Sequence, residues 1–142
     1  MSLEFKTDTS GNNAPIKEGL VVEVTANKSL SYEESGVTFL VGTDALVISL
    51  PETKAGVKYS FVNSGAAANN IITVSPTATD GIAGTITLAS SVVVLDGTIN
   101  KDVINTKATS QAGDTIVIEG TGVAGVTAWI VKSSTGIWAR EA

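Results

Sequence analysis

Asp96, Asn100 and Asp102 lie within DGTINKD (96–102), three oxygen-bearing side chains close enough in sequence to suit a calcium ion. A calcium loop of the EF-hand type needs a bidentate Glu at its twelfth position, and none follows here, so the stretch reads as a polar turn. GTGVAG (120–125) matches the glycine spacing of dinucleotide-binding turns. That spacing works where the turn opens a helix whose N-terminus holds a pyrophosphate. The residues that follow, VTAWIVK, are β-branched and aromatic with no helical period, so the glycines read as a hairpin loop.

Other chemistry is constrained by what the chain lacks. There is no Cys, which removes disulfides and thiolate catalysis, and no His, which removes the usual proton shuttle and the commonest metal ligand. Scattered Ser and Thr therefore have no imidazole partner, and no two carboxylates fall on an identifiable common site. The expectation is a protein that is not an enzyme and carries no cofactor and no metal. LPETK (50–54) partly matches a sortase signal, but Lys54 stands in place of its Gly, and it reads as a strand stopped by proline. Asn27-Lys28-Ser29 is a formal glycosylation sequon.

The net charge is −5, Arg140 is the sole arginine, and acids and bases are interspersed. Neutralising phosphates needs a basic surface, so no nucleic acid is expected as partner. No run is long enough for a membrane-spanning helix, and MSLEFKTDTSGNNAP shows no Sec-type leader, so no membrane is expected either.

The elements that position these residues are β-strands. Residues 1–19 are polar and aperiodic and read as an N-terminal arm; residues 20–142 read as one β domain. From Leu20, short β-type runs alternate with turn residues: 20–25, 37–41, 45–50, 57–62, 70–75, 84–89, 91–96, 103–109, 114–120, 126–133 and 136–140. In VKYSFV, Val57, Tyr59 and Phe61 point one way and Lys58 and Ser60 the other. SVVVLD (91–96) is apolar on both faces, as a strand covered on each side would be. Short strands at this spacing predict an all-β sandwich, jelly roll or barrel; a single helix could fit only near NKSLSYEES (27–35).

Both tryptophans, Trp129 and Trp138, fall in the closing stretch TAWIVKSSTGIWAREA. With Ser134-Thr135 as a hairpin tip, Trp129, Val131, Trp138 and Arg140 share one face, and Arg140 caps the Trp129 ring. That arrangement is a structural clasp for the C-terminus. The alternative is an exposed platform of Tyr32, Trp129 and Trp138 on which a sugar stacks.

From Leu46 to Trp138 the features follow a set order. A strand ends in Leu50-Pro51, and Gly56 leads to Tyr59 and Phe61. An Asn/Gly loop enters Ile72-Thr73-Val74, followed by an Asp80–Gly84 turn. Gly113-Asp114, a strand, a Gly-rich loop, Trp129 and a Ser/Gly hairpin with Trp138 close the series. This order resembles a β module of tailed-bacteriophage virion proteins, found in head decoration (cement) and head-fibre proteins and in tail-fibre segments. The Gly inserted after Asp80, and Thr127-Ala128 before Trp129, depart from it. The resemblance implies a non-enzymatic structural protein on the capsid surface of the virion. It implies attachment to the major capsid protein and assembly as a homo-trimer. A tail-fibre or receptor- and glycan-binding module is the alternative. Leu3, Phe5 and Ile16 are the apolar residues expected to anchor the arm on the capsid. The mean hydropathy of +0.28 also points to apolar surface shared between subunits.

Overall fold

The computed structural model describes residues 4–7 and 13–16 as backbone, and residues 19–88 and 91–142 in full. β1 (Glu4–Thr7) and β2 (Asn13–Ile16) pair antiparallel as a hairpin that belongs to neither sheet of the body. The segment read as a patternless arm thus contains paired backbone, because two strands of four residues are too short to display a period. Of its expected anchors, Leu3 lies outside the described residues, as do the side chains of Phe5 and Ile16.

The body is built from β3 (Val21–Val24), β4 (Lys28–Ser29), β5 (Thr38–Val41), β6 (Leu46–Ser49), β7 (Lys58–Asn63), β8 (Ile72–Ser75), β9 (Asp80–Leu88), β10 (Ser91–Asp96), β11 (Val103–Asn105), β12 (Thr115–Gly120), β13 (Gly125–Thr135) and β14 (Ala139–Arg140). One sheet has the order β10-β9-β13-β12-β7-β5-β3 and the other β14-β11-β8-β6-β4. The all-β expectation holds, and each expected run from Leu20 onward carries a strand. The helix allowed near 27–35 is reduced to one 3-10 turn at Tyr32–Glu34, held by the Ser31 amide donating to Glu34 Oε1 at 3.0 Å.

The topology is not the antiparallel one of a jelly roll. From β3 to β8 the chain alternates between sheets, and within each sheet the successive strands lie parallel: β3, β5 and β7 in one, β4, β6 and β8 in the other. The result is three stacked coils of unequal length. Parallel register sets Phe39 beside Phe61, whose rings stack at 5.8 Å, and Ile48 beside Val74. After β8 the connections change: β9 and β10 form a long antiparallel hairpin, and β13 inserts between β9, its parallel neighbour, and β12, its antiparallel one.

The inward residues of both sheets make one core containing Phe39, Tyr59, Phe61, Trp129 and Trp138. Asp80–Gly84, expected as a turn, is instead the first half of β9. Gly81 explains why a strand is possible there: a Cβ at that position would stand 2.0 Å from the Gly97 carbonyl oxygen. Only a bare backbone lets the strand run so close to its neighbour.

Candidate functional site

The C-terminal stretch is where the sequence concentrates its largest side chains, and the structure buries both. β13 runs through Thr135, with Ser134 opposite Ile116 and Thr135 opposite Thr115, so Ser134-Thr135 is not a hairpin tip. Both edges of β13 are already occupied, by β9 and β12, which leaves no edge for residues 136–140 to fold back on. Gly136 (φ +85°) turns the chain away; a Cβ there would lie 2.1 Å from Asp114 Oδ1. The chain then crosses to the other sheet, where Ala139 and Arg140 pair with Ile104 and Val103 of β11.

The expected facing pairs are corrected accordingly. Trp129 lies 5.7 Å from Tyr59, ring to ring, and not under Arg140. Val131 is half-buried against the core and packs on Gly84 of β9. Trp138 donates its amide to the Thr87 carbonyl and its indole Nε1–H to the Thr135 carbonyl, both at 2.9 Å, and so ties the two sheets together. The structural clasp therefore exists, but as a bridge between sheets. A stacking platform of Trp129 and Trp138 is excluded, since both are 0% exposed. Tyr32, at 39% exposed, is held by its hydroxyl on the Glu52 carbonyl and by the Lys54 ammonium 4.9 Å above its ring.

Arg140 instead reaches Asp96 at the end of β10, Nη1 to Oδ1 at 2.5 Å, and Thr98 donates to the same carboxylate from its hydroxyl and its amide. These donors, Arg140 first, hold the Asp96 carboxyl well below the ordinary carboxylate range. The shift is downward, so its contribution is in place at neutral pH and is lost as pH falls through the lowered value. Arg140→Met is expected to return the Asp96 carboxyl toward the ordinary range in an NMR titration. An unchanged titration would mean that the Thr98 donors suffice. With Asp96 occupied in this way, the DGTINKD turn is pinned by protein groups. Among the described residues, no three His, Cys, Asp or Glu side chains come together as metal ligands.

Beside this pair lies an open groove of about 260 Å³ between the β9–β10 hairpin and β14. Ile86, Leu88, Val93, Val94, Leu95 and Ala139 line it, with Arg140 at its rim. Small-molecule sites are larger and converge several polar groups on the ligand, which this groove does not.

A buried polar cluster was not foreseen. Asn63, Asn70, Asn105 and Asp114 are all within 6% of full burial. Asn63 Nδ2 donates to Asn105 Oδ1 at 2.7 Å, and Asn70 Nδ2 to the Val41 carbonyl at 2.8 Å. Asn105 Nδ2 donates to Asp114 Oδ2 and to the Ile137 carbonyl, both at 3.0 Å. The cluster joins β5, β7 and β11 to the C-terminal crossing. In sequence these residues look like turn formers, and only their position at inward-facing strand ends marks them otherwise. Near the other end, Tyr59 donates its hydroxyl to the Ser31 carbonyl at 2.7 Å, and burial pushes its phenol above the ordinary value.

GTGVAG forms the loop between antiparallel β12 and β13 and opens no helix. It docks on the 51–56 loop, where Gly122 donates its amide to the Thr53 hydroxyl at 3.1 Å and Gly56 its amide to the Gly120 carbonyl at 3.0 Å. Compared by sequence, the chain matches no protein-family model and no curated protein.

Proposed function

We propose that this chain is a non-enzymatic structural protein of a tailed-bacteriophage virion, a decoration protein that binds the major capsid protein on the outside of the head. The observation that carries the reading is the use to which the shared run of features is put. Leu50, Tyr59, Phe61, Ile72, Val74, Trp129 and Trp138 are all core residues. The module resembled is thus a packing framework, as a scaffold requires, with its distinctive side chains turned away from solvent. The hairpin β1–β2, outside both body sheets, is the attachment element in this reading. A two-stranded hairpin is marginal alone in water and gains stability by docking.

Two measurements test the proposal. Reconstruction of the virion is expected to place copies across the head lattice; copies confined to the tail would refute a decoration role. Deleting residues 2–16 is expected to leave the circular dichroism of the body intact and to abolish co-sedimentation with capsids that lack the protein. Undiminished co-sedimentation would move the contact onto the body.

A further inference from the structure

The strand that reads as covered on both faces is covered on one: Leu95 is buried and Val93 packs half-buried against the core, while the face of Val92 and Val94 is open. β10 is an outer strand of its sheet, Val92 and Val94 are each 71% exposed, and Leu88, beside its first residue, is 41% exposed. Leu88, Val93 and Val94 also border the open groove, which therefore reaches this edge.

The other outer strands of the body are protected in ways that β10 is not. β4 and β14 have two residues each and carry Lys28 and Arg140, and β3 carries Glu23 at its middle. Shortness and charge are the usual guards against pairing with another chain. β10 has six residues, runs from Ser91 to Leu95 without a charge or proline, and pairs with β9 without a bulge. Its antiparallel ladder with β9 turns the N–H and C=O of every second residue away from the sheet, ready to pair.

We propose that two copies of this chain pair through β10, antiparallel about a two-fold axis at Val93, so that the sheet continues from one copy into the next. In this register Val93 faces its own copy and Val92 faces Val94. The two-fold axis selects the direction, since only antiparallel strands present the same donors and acceptors to each other in both copies. Antiparallel pairing sets the two Asp96 residues roughly 20 Å apart along the strand, well beyond a Debye length of about 8 Å. Parallel pairing would put them side by side. An uncharged edge offers a partner of either sign nothing to recognise, whereas the same strand inverted meets it valine to valine. This isologous contact is independent of the capsid reading and differs from the three-fold assembly that the resemblance implies. A three-fold ring needs β10 to meet a different surface of its neighbour.

The chain has no cysteine, so one introduced thiol reports the contact. Directly opposed antiparallel residues have Cα atoms about 4.5–5.5 Å apart, within reach of a disulfide. Under mild oxidation Val93→Cys is expected to give a covalent dimer, and Val123→Cys, on an exposed loop, is not. By sedimentation equilibrium up to millimolar loading, the unmodified protein is expected to be a dimer and Val92→Lys/Val94→Lys a monomer with an unchanged circular dichroism spectrum. If the double lysine variant does not fold, the thiol variant decides alone. A wild-type monomer throughout, an oligomer whose mass the lysines leave unchanged, or a trimer in which Val93→Cys stays reduced would each overturn the proposal.

Discussion

Replacing Trp138 by alanine is expected to lower the stability of the fold by about 3–5 kcal/mol, a large share of what a domain of this size has to lose. The indole is fully buried, and its Nε1–H donates to the Thr135 carbonyl at 2.9 Å, so truncation leaves a cavity and an unpaired acceptor together. Because the side chain bridges the two sheets, the loss reaches beyond the last residues. Guanidinium unfolding followed by circular dichroism measures it as a lower midpoint at unchanged slope. A loss below about 1 kcal/mol would show that the C-terminal crossing is dispensable. The conservative pair sharpens the test. Trp129 is equally buried, but its Nε1–H has no acceptor among the described residues. Trp129→Phe removes an unsatisfied donor along with part of a ring, whereas Trp138→Phe removes a made hydrogen bond. The Trp138 substitution is therefore expected to cost more.

Asn105→Ala is expected to cost about 2–5 kcal/mol, because it strips a donor from the Asp114 carboxylate and the acceptor from the Asn63 amide in a site without water access. Asn105→Asp is the more informative change. It sets a new carboxylate against Asp114 Oδ2, where Asn105 Nδ2 now donates at 3.0 Å. The new group can enter the fold only by taking up a proton, so its folded-state pKa is raised above its unfolded one. The penalty is then greatest at neutral pH and eases as pH falls to the ordinary carboxylate range. Thermal unfolding of Asn105→Asp at pH 4 and pH 7 reads this directly. Equal deficits at both would mean that the side chain swings out to solvent instead.

How much of this could be read beforehand differs by residue. Alternation in VKYSFV and DTIVIEG needs only local geometry, and Tyr59, Phe61, Ile116 and Ile118 are indeed the buried set. Lys132 shows the limit of such reading. It is the extra residue of a bulge, since Val117 faces Ser133 while Ile118 faces Val131, and no local pattern marks it. The facing pairs assigned to a Trp129–Trp138 hairpin failed for a different reason. They assumed that the nearest strand in sequence is the nearest in space, yet β13 has β9 and β12 on its two edges.

The sequence left the tryptophans open between clasp and platform. By itself it determined most strands from Leu20 onward, the inward faces of runs that alternate cleanly, and the exclusion of thiol and imidazole chemistry. Each of these depends on a residue's type and its close neighbours, through side-chain period and the transfer of apolar surface from water. Only the tertiary structure decided that consecutive strands alternate between two sheets in parallel stacks. It also decided that Asn63, Asn105 and Asp114 leave their usual turns for the interior, and that the most apolar strand stands at an edge. Strand order is a matter of which ladders close over long separations. The free energy of a backbone hydrogen bond is nearly the same whichever strand supplies the acceptor, so the choice is made by the packing of the whole core and leaves no mark on any one segment.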